Sequence, residues 1–158
     1  MGIFLELLKL GAVGVIAGLF SSYLANRDYR SRKWWELRVG AYQSAIDSFS
    51  DLIYYYDSHY SATIEYRELS DDYKKKLNEH WESGFHKIRK SADSGAFLFS
   101  PEANAALKEF MNIDNAPSNN YVEQLDNQLA GAKQCLKTLV ECSKIDLLLK
   151  PSLFDRIA

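Results

Sequence analysis

The chain has 158 residues and a mass of 18.1 kDa, with 19 Lys and Arg against 21 Asp and Glu for a net charge of -2. That length suits one domain with its own core, and the charge balance lacks the positive excess by which nucleic-acid binders neutralise phosphate, so no nucleic acid is expected as a partner. Eight glycines, three prolines and 47% hydrophobic residues exclude a disordered composition.

The first element lies in "LKLGAVGVIAGLFSSYLANRDYRSRKWWELR", Leu8 to Arg38. From Leu7 to Ala25 the only charge is Lys9, and a helix of that length extends about 28 Å, close to the hydrocarbon thickness of a bilayer. A cleaved signal peptide needs a positive stretch before the apolar run and a small residue where Tyr23 stands relative to the best cut after Ala25; neither is present. Val13, Val15, Ile16, Leu19 and Phe20 surround the helix and leave no polar face, so residues 1–26 are expected to form a transmembrane helix.

Arg27, Arg30, Arg32, Lys33 and Arg38, with Trp34 and Trp35, make residues 27–38 a basic, aromatic flank that continues as helix. This asymmetry predicts a single-pass protein with its N-terminus outside and its C-terminal domain cytoplasmic, the membrane being the inner one if the chain is bacterial, with anionic lipid as a further contact. The tryptophans fit equally well as the first core residues of the domain that follows. Gly14, Gly18 and Ser22 repeat every four residues and place small side chains on one ridge, which predicts self-association between membrane helices.

The helix is expected to run on toward Tyr66. Val39, Tyr42, Ile46, Phe49, Ile53, Tyr56 and Tyr60 recur at spacings of three and four, flanked by Ala45, Leu52 and Tyr55, with Tyr54 on the exposed flank. The dense "LIYYYDSHY" reads as core before it reads as a ligand site. Ser70 followed by Asp71 and Asp72 starts a second helix, to about Ser94, with Tyr73, Leu77, Trp81, Phe85, Ile88 and Ala92 inward. Ser100, Pro101 and Glu102 start a third, to about Met111, with Ala103, Ala106, Leu107 and Phe110 inward. After the polar linker "NIDNAPSNN" a last helix is expected from about Asn119 to Leu149, burying Val122, Leu125, Leu129, Ala132, Leu136, Leu139 and Ile145. Pro151 ends the bundle of residues 39–150, and the tail 151–158 offers Leu153, Phe154 and Ile157 for docking.

Cys135 and Cys142 stand seven apart on a predicted helix, about 10 Å by helical rise and beyond disulfide reach, so both are read as reduced core thiols. His59, His80 and His86 belong to no HExxH or paired Cys/His ligand set, and no metal site is expected. There is no glycine-rich phosphate loop and no nucleophile elbow, and neither a catalytic residue, a cofactor nor a small-molecule substrate is assigned.

The order of short apolar helix, basic flank with the paired tryptophans, "RVGAYQSAIDSFSDLI" and "SPEANAALKEF" resembles small bacterial proteins that carry one N-terminal membrane helix and a cytoplasmic helical bundle, some encoded on mobile elements or in phage-defence neighbourhoods. The resemblance is one of architecture and transfers no functional residue. The expectation is therefore an all-α protein: a transmembrane helix followed by a cytoplasmic antiparallel bundle of about four helices. Its expected role is that of a membrane-tethered, non-enzymatic module that assembles with itself or another protein. The contrasting reading is a membrane-perturbing effector that oligomerises on activation.

Overall fold

The computed structural model describes the backbone of residues 2–114, 117–118 and 120–148, and the side chains of these from residue 14 onward except 94, 96 and 114. It is all-α over the described residues: α1 (Gly2–Ile64), α2 (Asp71–Ser94), a single 3-10 turn (Gly95–Phe97), α3 (Pro101–Asp114) and α4 (Tyr121–Asp146). The chain divides into two compact units, Met1–Leu37 and Arg38–Ala158, each treated by itself below.

The first unit corrects the membrane reading. Among the described residues no helix is long and apolar enough to cross a membrane. Among the described residues the apolar run ends at Ala25, where Asn26, Arg27 and Asp28 follow at once. The transmembrane helix over residues 1–26, the single-pass topology and the outside-to-cytoplasm placement are therefore not upheld. The earlier part of the predicted span, residues 7–13, lies outside the residues whose side chains are described.

The second unit has one hydrophobic core fed by four helices. Tyr42, Ala45, Phe49, Leu52 and Tyr56 of α1 meet Ile88 and Ala92 of α2, Ala103, Leu107 and Phe110 of α3, and Leu125, Leu129, Ala132 and Leu139 of α4. The i, i+3, i+4 spacing brings these residues onto one face of each helix, and fully burying a Leu, Ile or Phe contributes about 1.5–3 kcal/mol relative to exposure. Phe49 and Phe110 pack edge to face at 4.9 Å, as do Tyr42 and Phe99 at 4.8 Å. Gly84 lets α2 approach α1 closely, since a Cβ there would stand 3.0 Å from the Ser48 carbonyl oxygen.

Local signals set the helix ends. Ser70 Oγ accepts the Tyr73 N–H, with Asp71 and Asp72 in the first turn of α2. Ser100 Oγ accepts the Ala103 N–H just before Pro101 opens α3, and Asn120 Oδ1 accepts the Glu123 N–H at 2.8 Å to open α4. α1 ends in a Schellman motif: the Arg67 N–H reaches the Ala62 carbonyl and the Tyr66 N–H the Thr63 carbonyl. Tyr66 occupies the left-handed position at φ 52°, where glycine is the usual residue, and its side chain is 96% exposed.

One predicted core position is reversed. Ile145, expected inward, is 69% exposed, and its neighbour Asp146 turns in instead.

Candidate interaction surface

Two arrangements merit weighing as sites: the described part of the first unit, and a polar cluster in the second. In the first unit Val15, Ile16, Leu19, Phe20, Tyr23 and Leu24 are 45–68% exposed along consecutive turns of α1. At about 100° per residue these six fall on one half of the helix, and Gly14, Ala17, Gly18, Ser21, Ser22 and Ala25 fall on the other. The helix is thus divided by side-chain size and not by polarity. The ridge of Gly14, Gly18 and Ser22 lies within the small half, and a Cβ added at Gly14 or Gly18 would meet nothing within 4 Å.

The basic flank separates into two kinds of residue. Arg32 pairs with Asp28 at 2.8 Å and Lys33 with Glu36 at 3.1 Å, both at the surface, where such pairs contribute little stability. Arg27 and Arg30 are exposed, and Trp34 and Trp35 each keep more than a third of their surface in solvent. Arg38 belongs elsewhere. It is the first residue of the second unit, and its Nη2 meets Asp146 Oδ2 at 3.0 Å with the two side chains only 24% and 15% exposed.

Around that pair a polar clasp is built. Arg38 Nε donates to the Leu98 carbonyl at 2.9 Å and Nη1 to the main-chain carbonyl of Asp146 at 3.3 Å, placing a cation at the C-terminal end of α4, where the helix dipole favours it. The Asp146 carboxylate also accepts the Ser100 N–H at 3.2 Å and the Tyr42 hydroxyl. Burial, then the hydrogen bond to Asp146, pushes the Tyr42 hydroxyl above its ordinary pKa. The clasp ties α1, the segment before α3 and the end of α4. Its polar groups are engaged with one another, as in a structural joint.

The remaining titratable groups are dispersed. His59 packs at a tilt against Tyr55 with ring centroids 4.5 Å apart, its Nε2 is buried without a hydrogen-bond partner among the described residues, and burial followed by the nearby Lys74 charge lowers its pKa. The Tyr54 and Tyr73 hydroxyls meet at 2.8 Å, with Ser58 3.3 Å from Tyr73. His80 lies at the surface with Nδ1 3.2 Å from Asp51. Cys135 and Cys142 are free and buried, and desolvation pushes the Cys135 thiol up to about 12. Among the described residues no three or more His, Cys, Asp or Glu side chains are placed to hold a metal ion. An open groove of about 650 Å³ is lined by Tyr60, Thr63, Tyr121, Glu123 and Asp126 and has no nucleophile beside a base. Leu153, Phe154 and Ile157 lie outside the described residues.

Asp146 and the joint it forms with Arg38 escape sequence reading, because an acid at the end of an amphipathic pattern looks like a surface residue and its partner stands 108 positions away. Gly84 carries only a faint signal, a glycine in the middle of a helical pattern. Comparison with protein-family models, with curated proteins and with solved structures gives no match.

Proposed function

We propose that this chain is a non-enzymatic assembly module: a four-helix core that presents the apolar stretch of α1 for association with protein. The observation that carries the reading is the run of six large apolar side chains from Val15 to Leu24, all of them substantially exposed. Monomeric proteins rarely leave so contiguous an apolar surface in water, and covering it is favourable at about 25 cal/mol per Å².

The test replaces Leu19 and Tyr23 together by Gln, which keeps helix propensity and removes apolar area. In sedimentation velocity at micromolar concentration the unaltered chain is expected to run well above 18.1 kDa and the variant as a monomer, with the same helical circular dichroism. An unaltered chain that stays monomeric and fails to bind a dye for exposed apolar surface contradicts the reading, as does a variant that assembles as before.

A further inference from the structure

We infer that the surface covering the apolar half of one α1 is the small-residue half of α1 in a second copy, the two helices lying parallel and side by side. The inference rests on the assembly reading above and adds which faces meet and in which direction. Three observations support it.

The first is shape. One half of the helix carries Val15, Ile16, Leu19, Phe20, Tyr23 and Leu24, and the opposite half carries Gly14, Ala17, Gly18, Ser21, Ser22 and Ala25. Two large halves brought together hold the backbones apart, and two small halves brought together leave the large side chains of both copies in water. Large against small gives each bulky side chain a recess and each recess a side chain, and it repeats with the next copy. The open space around Gly14 and Gly18 means that, among the described residues, nothing fills those recesses.

The second is area. Covering the exposed parts of the six large side chains removes roughly 800 Å², the amount one partner contributes to an interface of standard size.

The third is charge. Continuing the same helical winding, Arg27 and Arg30 fall on the side of the large residues, while Asp28, Arg32 and Glu36 fall on the side of the small ones, two carboxylates against one cation. In the parallel arrangement the two arginines of one copy face the strip of Asp28, Arg32 and Glu36 of the next, whose net charge is negative. Asp28 and Glu36 each hold a cation of their own chain, Arg32 and Lys33, yet a carboxylate accepts several donors. An antiparallel arrangement would set Arg27 and Arg30 against the apolar stretch of the neighbour and strip their water without a partner. Because the two contacting faces differ, the interface is heterologous and propagates into a ring or an open array, beyond a symmetric pair.

The test is disulfide trapping in the full chain. Tyr23→Cys lies on the large half and Ala25→Cys on the small half, at nearly the same height, while the native Cys135 and Cys142 are buried and stay out of the reaction. Mild oxidation of the two single variants mixed is expected to give the mixed disulfide, and a chain carrying both substitutions is expected to give a ladder beyond dimer on a non-reducing gel. Gly14→Ile with Gly18→Ile fills the recesses and is expected to weaken association at least tenfold, with the helical signal unchanged. Ala25→Cys crosslinking chiefly with itself, as a dimer only, overturns this arrangement and leaves the assembly reading standing. A chain that sediments as a monomer and forms neither product overturns both.

Discussion

Replacing Asp146 by Ala removes the centre of the clasp while leaving every helix sequence around it intact. The carboxylate accepts from the Arg38 guanidinium, the Ser100 N–H and the Tyr42 hydroxyl, so three donors lose an acceptor at once. Breaking a fully buried ion pair from one side costs about 3–5 kcal/mol. Two features reduce that figure here: the pair retains some solvent contact, and Arg38 keeps the carbonyls of Leu98 and residue 146 as acceptors. The expected loss is therefore about 2–3 kcal/mol, which for a unit of this size lowers the melting temperature by roughly 8–12 °C. Urea unfolding followed by circular dichroism, for Asp146→Ala, Arg38→Met and the double variant, measures it. The coupling energy should reach about 1 kcal/mol or more, since Arg38→Met removes the charge that the first change strands. A loss under about 0.5 kcal/mol for Asp146→Ala, or additive single effects, would refute the view of the clasp as a joint.

Tyr66→Gly should raise stability by about 1 kcal/mol in the same assay, because the left-handed position costs a side-chain-bearing residue more than glycine and the Tyr66 ring is in solvent; a loss would mean that the ring has a packing role. Cys135, buried and with its pKa raised to about 12, should react with a thiol reagent at pH 8 only as fast as the chain opens, and stoichiometric labelling at the model-thiol rate would contradict its placement. His59 has a folded pKa below its unfolded value, so its contribution to stability is full above the unfolded pKa and declines as pH falls below it; the urea midpoint should drop between pH 7.5 and 5.5, and His59→Phe should flatten that drop. An identical pH profile in the variant would assign the effect to other groups.

What the sequence disclosed followed from local physics. Ser70, Pro101 and the acids behind them announce the starts of α2 and α3, and the three-and-four spacing from Tyr42 to Tyr56 places the inner face of α1, because caps and helical periodicity act within a few residues. The end of α4 was misread for a related reason. Periodicity favours the isoleucine at 145, but the Arg38 guanidinium requires a carboxylate, and a pairing across 108 positions leaves no trace in a local pattern. Arg38 itself merged with the cations at 27–33, although it faces the core and they face solvent. The apolar stretch before them reads as a membrane span in the sequence because it has no polar face. In the described portion its organising variable is side-chain volume, which a hydropathy pattern does not register.

The distance along the chain between Arg38 and Asp146 also bears on how the second unit comes apart. Contacts such as those between neighbouring helices α3 and α4 close short loops, whereas the clasp closes a loop of more than a hundred residues and meets a larger entropic barrier. It is therefore expected to form late in folding. A bond of that kind leaves the folding rate nearly untouched and acts as a latch on escape, so that removing it appears almost wholly as faster unfolding. Removing that one pair is then expected to shorten the lifetime of the folded unit, and with it the time for which the chain resists a protease that attacks only opened molecules.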